Sequence, residues 1–479
     1  LKFRGGYNIK FYGKPSGFLK DLSLPEVLCL PLTSKSFHYS VFCVAHGQSV
    51  SLGDVLAKDP SQFDIPLLSP CGGRVDLKTM PGHIMLTDVS SEGTRPYTYR
   101  DDQEHIHKAL GSTGLKRYQL LNLGAWEFFQ DAYTGRIPDP LSTPQAVIVS
   151  TVHLEPFLVR GDVLLKEYLR QFTRGLEHLQ SLLEYQPIYL AFPRIKTEFA
   201  IKIKEQLRGY AWVKLIEVSL KYPYDHFEIL SRHLGLKRGS GPVWGVHVEG
   251  VLAIDHALTS SRPCVERIIS VAGPGAGQPQ HLRLMAGYPI SKIKEEYALQ
   301  NTVAIDGGML TGRLLGETMK GVPAECRGIN FIPQHQSREF LSFVRPGFDR
   351  QSYSSCFFSS LCSLFPQRLT NAVRGERRPC VSCNFCEEVC PAGIIPHRLH
   401  KLIYQDHIDA IERSRIDLCI ECGLCSFVCP SKIELVHQFQ EAKQTILKEK
   451  AIAAAEAAKK ASAESSLQTQ PVNELGKSE

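Results

Sequence analysis

The sequence predicts a multidomain α+β chain that ends in a helical, cysteine-rich module. Three observations lead there. Short apolar runs cut by glycines fill residues 1–90, strand-like and helix-like stretches alternate through 101–254, and two cysteine runs of identical spacing lie between Cys380 and Cys429. At about 100 to 200 residues per domain, the 479 residues make roughly three or four domains.

The first region reads as a compact all-β unit. Val27-Leu28-Cys29-Leu30 and Val41-Phe42-Cys43-Val44 are short strands, and Gly5-Gly6, His46-Gly47 and Cys71-Gly72-Gly73 mark turns. Next, Ala146-Val-Ile-Val-Ser-Thr-Val152, Pro187-Ile-Tyr-Leu-Ala-Phe192 and Trp212-Val-Lys-Leu-Ile-Glu-Val218 are buried-strand runs separated by helical patterns over 163–185 and 198–209. Strand, helix, strand in that order predicts a parallel α/β layer. Strands over 265–272 and 281–285, parted by the turn-rich Gly273-Pro-Gly-Ala-Gly-Gln-Pro279, predict a small β unit that ends at the sharp turn Gly307-Gly308. Residues 312–378 read as mixed connection with a helix around 355–372. From residue 448 the chain begins as an Ala- and Lys-rich helix and passes into Ser, Gln, Pro and Asn, which predicts a disordered tail.

No stretch of about 18 uncharged apolar residues occurs, and residues 1–30 lack the basic start, apolar core and cleavage site of a secretory signal. The expectation is a cytoplasmic chain without a membrane span. The net charge of +6 comes from 55 basic and 49 acidic residues mixed throughout, which leaves no clustered footprint for nucleic acid. In a reducing compartment, 15 cysteines point to metal ligation rather than disulfides. Seven of them, Cys29, Cys43, Cys71, Cys264, Cys326, Cys356 and Cys362, are scattered without ligand-like intervals. Cys71 and Cys264 read most simply as small buried hydrophobes.

The other eight carry the chemistry. Cys380, Cys383, Cys386 and Cys390-Pro391 repeat as Cys419, Cys422, Cys425 and Cys429-Pro430, two copies of the C-x2-C-x2-C-x3-C-P run of bacterial ferredoxins. A tight loop presents three thiolates to one cubane, and in two-cluster proteins the fourth, beside proline, ligates the other cluster. Two [4Fe-4S] clusters are therefore expected, one on Cys380, Cys383, Cys386 and Cys429, the other on Cys419, Cys422, Cys425 and Cys390. Zinc is the rival for paired C-x2-C elements, but zinc motifs seldom use three evenly spaced cysteines plus a fourth before proline. Between Cys390 and Cys419, Ile394, Ile395, Leu399, Leu402, Ile403, Ile408 and Ile411 recur at helical intervals, so the clusters are expected among helices. Two clusters joined by crossed ligation form an electron relay.

The residues around these cysteines, including Asn384-Phe-Cys-Glu-Glu-Val-Cys-Pro-Ala-Gly393 and Glu421-Cys-Gly-Leu-Cys-Ser-Phe-Val-Cys-Pro430, closely resemble RnfC, the cluster-bearing member of the Rnf membrane electron-transfer complex. RnfC is grouped with NqrA, of the sodium-translocating NADH:quinone oxidoreductase (Nqr), and with the flavin subunit of complex I. The middle of the chain is more similar to NqrA, at Leu123-Gly-Ala-Trp126, Arg136-Ile-Pro-Asp-Pro140, Val147-Ile-Val149, Pro242-Val-Trp244, Asp255 and Glu266-Arg-Ile-Ile-Ser-Val-Ala-Gly-Pro274. The opening Phe3-Arg-Gly-Gly6 and the stretches 44–57 and 66–75 look like the barrel-sandwich domain shared by RnfC and NqrA, without the lysine that lipoyl carriers modify at the hairpin tip. The resemblance implies a barrel-sandwich hybrid over 1–95, a Rossmann-like α/β domain over 100–258 and a β-grasp (SLBB-like) domain over 259–315. It further implies a partly helical connection over 316–375, a helical 2[4Fe-4S] ferredoxin domain over 376–445 and a tail over 446–479.

The resemblance implies a peripheral subunit on the inner face of the cytoplasmic membrane, passing electrons between a soluble redox partner and membrane flavin or quinone subunits of an ion-translocating complex. Two rivals stand beside it: an FMN-containing NADH dehydrogenase, and an adaptor that wires electrons between cytosolic reductases. Leu154-Glu155-Pro156-Phe157 and Asp162 resemble the Rnf flavin region, which would put Glu155 and Pro156 near a flavin or quinone; Glu155 also reads as a carboxylate capping a following helix. The Gly-Gly-Ala-Gly-Phe-Pro loop by which RnfC and its complex I relative admit flavin phosphate and NADH is absent from 101–145, which argues against FMN. His153, His247 and His256 have no mutual spacing of a metal site, and Trp126 and Trp244 read as core aromatics.

Overall fold

The computed structural model describes residues 4–90, 104–194, 198–334, 353, 369 and 377–468. The chain divides into two compact units, Leu1–Gly375 and Glu376–Glu479.

In the first unit, the apolar runs between glycine turns pair as antiparallel strands. Leu28–Pro31, His83–Ser90, Gly72–Asp76 and Ser49–Val50 lie in that order in a four-stranded sheet, and Val41–Phe42, Val55–Asp59 and Ile65–Leu68 form a three-stranded one. The central sheet has the order Val213–Val218, Ile188–Pro193, Ala146–Ser150, Val243–His247, Phe129–Asp131; the first four strands are parallel and the last antiparallel. Ala146–Ser150 is buried throughout, as parallel strands are when crossover helices cover the sheet, which is why it reads as an unbroken apolar run. The helices Gly161–Ser181 and Val248–Ser260 meet closely at Gly175, where a Cβ would strike the Val251 carbonyl.

Trp126 and Trp244 are fully buried. Their rings meet edge-on at 5.2 Å, Phe129 stacks on Trp126 at 4.5 Å, and Trp126 Nε1 donates to the Pro138 carbonyl at 2.9 Å. Both tryptophans are core residues, with the indole N–H of Trp126 satisfied as burial demands. The helix Glu104–Asn122 has no counterpart among the sequence-based expectations.

A fourth, six-stranded sheet runs Leu19–Asp21, Gln280–Met285, Glu266–Ala272, Gly328–Pro333, Thr302–Asp306, Arg313–Leu314. The helix Ile290–Tyr297 adds Ile290, Ile293 and Tyr297 to its core. Two of its strands come from outside the expected small β unit. Leu19–Asp21 belongs to the N-terminal region yet pairs in parallel with His281 to Arg283. Gly328–Pro333, expected to be connection, lies inside the sheet with Ile329, Phe331 and Ile332 buried; six residues opened by glycine and closed by proline give too short a period to separate strand from connection. The helix expected around 355–372 lies outside the described residues.

The second unit is helical: Phe385–Glu388, Pro396–Tyr404, Ile408–Arg413, Leu424–Phe427 and Leu435–Gln468. Its core gathers Ile394, Leu399, Ile411, Ile416, Leu435, Phe439 and Ile446. The last helix runs through most of the segment expected to be a disordered tail. Ala, Lys and Glu are among the strongest helix formers, so the backbone there stays helical; residues 469–479 lie outside the described residues.

Candidate metal centre

The two cysteine loops repeat a backbone as well as a spacing. Positive φ occurs at Ser382 (53°) and Glu421 (55°), at Asn384 (63°) and Gly423 (76°), and at Gly393 (72°) and Lys432 (57°), matched positions of the two runs. Left-handed residues among right-handed ones turn successive N–H groups to one side, the nest geometry used by anion and iron–sulfur sites. Asn384 and Gly423 then open the short helices that carry Cys386 and Cys425. For Ser, Glu and Lys such backbone costs of order 1–3 kcal/mol each, and it is held here because the loops are fixed on both sides.

Each run contributes to two cavities. One is lined by Cys380, Cys383, Cys386 and Cys429, together with His397, Ser431 and Leu435. The other is lined by Cys390, Cys419, Cys422 and Cys425, with Ile394, Leu424 and Phe439. Three cysteines of one run thus share a cavity with the fourth of the other.

Electrostatics link the same groups. Burial pushes the Cys386 thiol up to about 11, the His397 N–H pulls it back, and the charges of Cys383, Cys429 and Cys380 raise it further. Burial also takes Cys419 up to about 11, opposed by the Lys443 ammonium and the Glu421 N–H. Cys422 and Cys425 are raised by burial and by repulsion from Cys419 and Cys390. Buried thiolates that repel one another are a donor set suited to a cationic metal centre, which supplies the charge that ionises them. Among the described residues, no three Cys, His, Asp or Glu close around a single ion. Four thiols spread round a cavity, with backbone N–H groups directed at their sulfurs, match a cubane cluster better than a tetrahedral zinc.

Glu155 and Pro156 sit elsewhere. The Glu155 carboxylate accepts from the N–H groups of Leu310 (3.0 Å) and Thr311 (2.8 Å) and from the Thr311 hydroxyl at both oxygens. Gly308 leaves room for it, since a Cβ there would collide with the carboxylate. Burial raises the Glu155 pKa against these bonds. The carboxylate therefore caps a distant turn, where the sequence suggested either a cofactor neighbour or a helix cap, and Pro156 is buried beside it.

The body also assembles a polar group that spacing did not reveal. Ala146–Ser150 and Val243–His247 are neighbours at the point where strand order reverses; His247 ends the second strand, and His153 and Glu249 lie just past the two carboxyl ends. The imidazoles of His153 and His247 are 4.1 Å apart, and Glu249 lies 3.6 Å from His153 Nε2. His153 Nε2, His247 Nδ1 and both Glu249 oxygens are buried without hydrogen-bond partners. Burial pushes His153 down to about 4 and His247 well below the usual range. Glu249 borders a cavity of about 710 Å³ with Phe128, Arg267, Arg283 and Arg327. His256, by contrast, is exposed. The carboxyl end of a strand pair at a topological switch point was the signal available, but it needs the sheet order, which the sequence does not display.

Residues 113–262 match the family described as NqrA second alpha/beta domain, and residues 379–433 match the 4Fe-4S dicluster domain. The chain is similar to the A subunit of the Na(+)-translocating NADH-quinone reductase of Alcanivorax borkumensis, 26% identical over 77% of this chain and 81% of that one. It is likewise similar to the corresponding protein of Cellvibrio japonicus, 26% identical over 83% and 88%. Among solved structures, an NAD+-reducing [NiFe]-hydrogenase in the H2-reduced state aligns over 73% of this chain and 64% of that one at 11% identity, with a TM-score of 0.40, too slight a likeness to carry a structural argument. The chain is an NqrA-like protein that joins an NqrA second α/β domain to a 4Fe-4S dicluster domain, with two [4Fe-4S] clusters as its cofactors.

Proposed function

We propose that this chain is a peripheral electron-transfer subunit of an Nqr- or Rnf-type ion-translocating oxidoreductase, relaying electrons between a soluble redox partner and membrane flavin or quinone subunits. The observation that carries the reading is the pair of cavities, each drawing three cysteines from one run and the fourth from the other. Cys380, Cys383, Cys386 and Cys429 hold one cluster, and Cys419, Cys422, Cys425 and Cys390 the other. A bound [4Fe-4S] cluster supplies reversible one-electron exchange. The chain's own part is to keep the two close: Cys390 and Cys429 each leave their own loop for the other's cavity, and Leu424, Ile394 and Phe439 exclude water from the second. Among the described residues no helix is long and apolar enough to cross a membrane, which fits a subunit placed on the inner face of the cytoplasmic membrane by partners.

The body supports this reading as a docking scaffold: a barrel-sandwich hybrid over 1–95, a Rossmann-like domain over 100–258, and a β-grasp domain extended from 259–315 to residue 333 to keep Gly328–Pro333 with its sheet. Glu155 holds the turn at Leu310 and Thr311 in this scaffold, and neither it nor the buried Pro156 is assigned to a flavin or quinone.

A second reading, an FMN-containing NADH dehydrogenase, is favoured by one observation: His153, His247 and Glu249 meet at the switch point with buried polar atoms that make no hydrogen bond, and Glu249 borders a cavity of about 710 Å³, within the roughly 300–1,000 Å³ typical of small-molecule sites. Anaerobic purification with iron, sulfide and flavin quantitation, followed by absorption and EPR spectra after NADH and then dithionite, separates the two. Iron near about eight per chain, no flavin and reduction by dithionite alone support the relay. Stoichiometric flavin with clusters reduced by NADH overturns it in favour of the dehydrogenase.

A further inference from the structure

The two cysteine loops share a backbone but differ in what braces them. Lys443, on the helix Leu435–Gln468, donates from Nζ to the Cys419 carbonyl at 2.6 Å and to Glu421 Oε1 at 2.7 Å. Its side chain is 22% exposed, so solvent screens it only partly. Glu421 lies between Cys419 and Cys422, and its other oxygen accepts from Gln440 Nε2 at 3.1 Å. Gln440 and Lys443 stand three residues apart on one helix face and together pin the loop's carboxylate. At the matched place in the first loop stands Ser382, an uncharged residue that accepts from the exposed Lys401 at 3.2 Å. One loop therefore carries a fixed, partly buried ion pair, and the other carries a hydroxyl.

We propose that Lys443 and Glu421 form a potential-setting pair for the cluster of Cys390, Cys419, Cys422 and Cys425, in which the ammonium favours the added electron and the carboxylate opposes it. Reduction adds one negative charge and no proton to that cavity, and neighbouring charge and hydrogen bonding are the levers that tune cluster potentials. In a partly buried site a charge acts over several ångströms with far less loss than in water. Both act through charge and not as ligands: Lys443 holds the loop, Glu421 also borders the cavity, and removing them one at a time moves the potential in opposite directions. A merely structural brace would weaken in the same sense whichever partner was lost. The proposal rests on the ligand assignment above.

The test is an EPR-monitored redox titration of the full chain, purified anaerobically, as wild type, Lys443→Met, Lys443→Arg and Glu421→Gln. Lys443→Met is expected to lower one cluster's potential enough to change electron sharing between the clusters about tenfold, which is ~59 mV for one electron. Glu421→Gln raises the same potential, Lys443→Arg stays near wild type, and the other cluster moves less. Shifts of the same sign in Lys443→Met and Glu421→Gln, or unchanged potentials with both clusters intact, overturn the proposal. If Lys443→Met loses a cluster, Glu421→Gln decides alone: a rise supports the pair and no change sinks it. The responding signal should be the one that Cys419→Ser alters. If it is instead the one altered by Cys383→Ser, the pair acts on the other cavity and the proposal is overturned, whereas a Cys390→Ser that alters the Cys383 signal would fail the ligand assignment.

Discussion

The cysteine module and the α/β body bring their buried polar groups together by opposite means. In the module, both cysteine cavities are lined by residues between Cys380 and Phe439, and three of the four cysteines in each are separated by fixed, short spacings within a loop, the fourth coming from the matched loop. In the body, Glu155 finds partners 155 and 156 residues away, and Arg117 reaches across to the carbonyls of Leu182 and Pro140. A site made by a loop is written in the spacing of its residues. One made by packing is written only in the sheet order that places the residues side by side.

The largest effect that would break this contrast concerns the crossed cysteines of the module. Cys390→Ser should perturb or empty the cavity it shares with Cys419, Cys422 and Cys425, dropping iron from about eight to about four per chain, while the signal from the other cluster persists. Damage confined to the cluster that Cys383→Ser also disturbs would mean that each run serves itself. In the body, the matching disruption is Trp126→Ala, which removes a fully buried indole with its bond to Pro138. The expected loss is about 3–5 kcal/mol, read as a lower melting temperature of the body with the visible cluster absorption retained. Loss of both together would show that the two compact units do not keep separate cores.

Electrostatics sharpen the contrast further. Asp225 is half-buried, accepts from the Leu154 N–H at 2.7 Å, and is pushed by desolvation from 3.8 to about 7. Because the folded chain holds this proton after the unfolded chain has released it, stability from the group is complete below about pH 4 and is lost as pH rises through about 7. Asp225→Asn removes the dependence, so its melting temperature should fall less than wild type between pH 4.5 and 7.5. Parallel curves for the two proteins would place Asp225 outside the titrating core.

The eight clustered cysteines, the helical surroundings between them and the buried strands of the central sheet were legible because each has a short period or a fixed interval. The apolar run Ala146-Val-Ile-Val-Ser150 is a case in point, a strand covered on both faces. Leu19–Asp21 and Gly328–Pro333 escaped because their membership in one sheet is decided by pairing across more than 250 residues of chain for the former, with Gln280–Met285. The His153, His247 and Glu249 group escaped for a related reason: two adjacent strand ends supply it, and adjacency is a property of the fold. The Ala- and Lys-rich start beyond residue 448 read as helix before a tail, and the backbone preference of Ala, Lys and Glu carries the helix through Gln468.

Glycine separates the two regions at the smallest scale. Gly308→Ala in the body drives a methyl group into the Glu155 carboxylate, an overpacking cost of about 1–3 kcal/mol, because the gap is defined by a residue far away in sequence. Gly423 in the module answers to its own backbone, at φ 76°, and the matched position in the other loop is Asn384 at 63°. Asparagine is the residue that best tolerates this region after glycine, so Gly423→Asn should cost less than about 1 kcal/mol and leave both EPR signals in place. The reciprocal Asn384→Gly should be as mild. If either swap abolishes a cluster signal, the positions are not equivalent and the repeat extends to spacing alone; if both are silent, the second loop is a copy of the first down to its backbone, and what distinguishes the two cavities is the side chains that surround them.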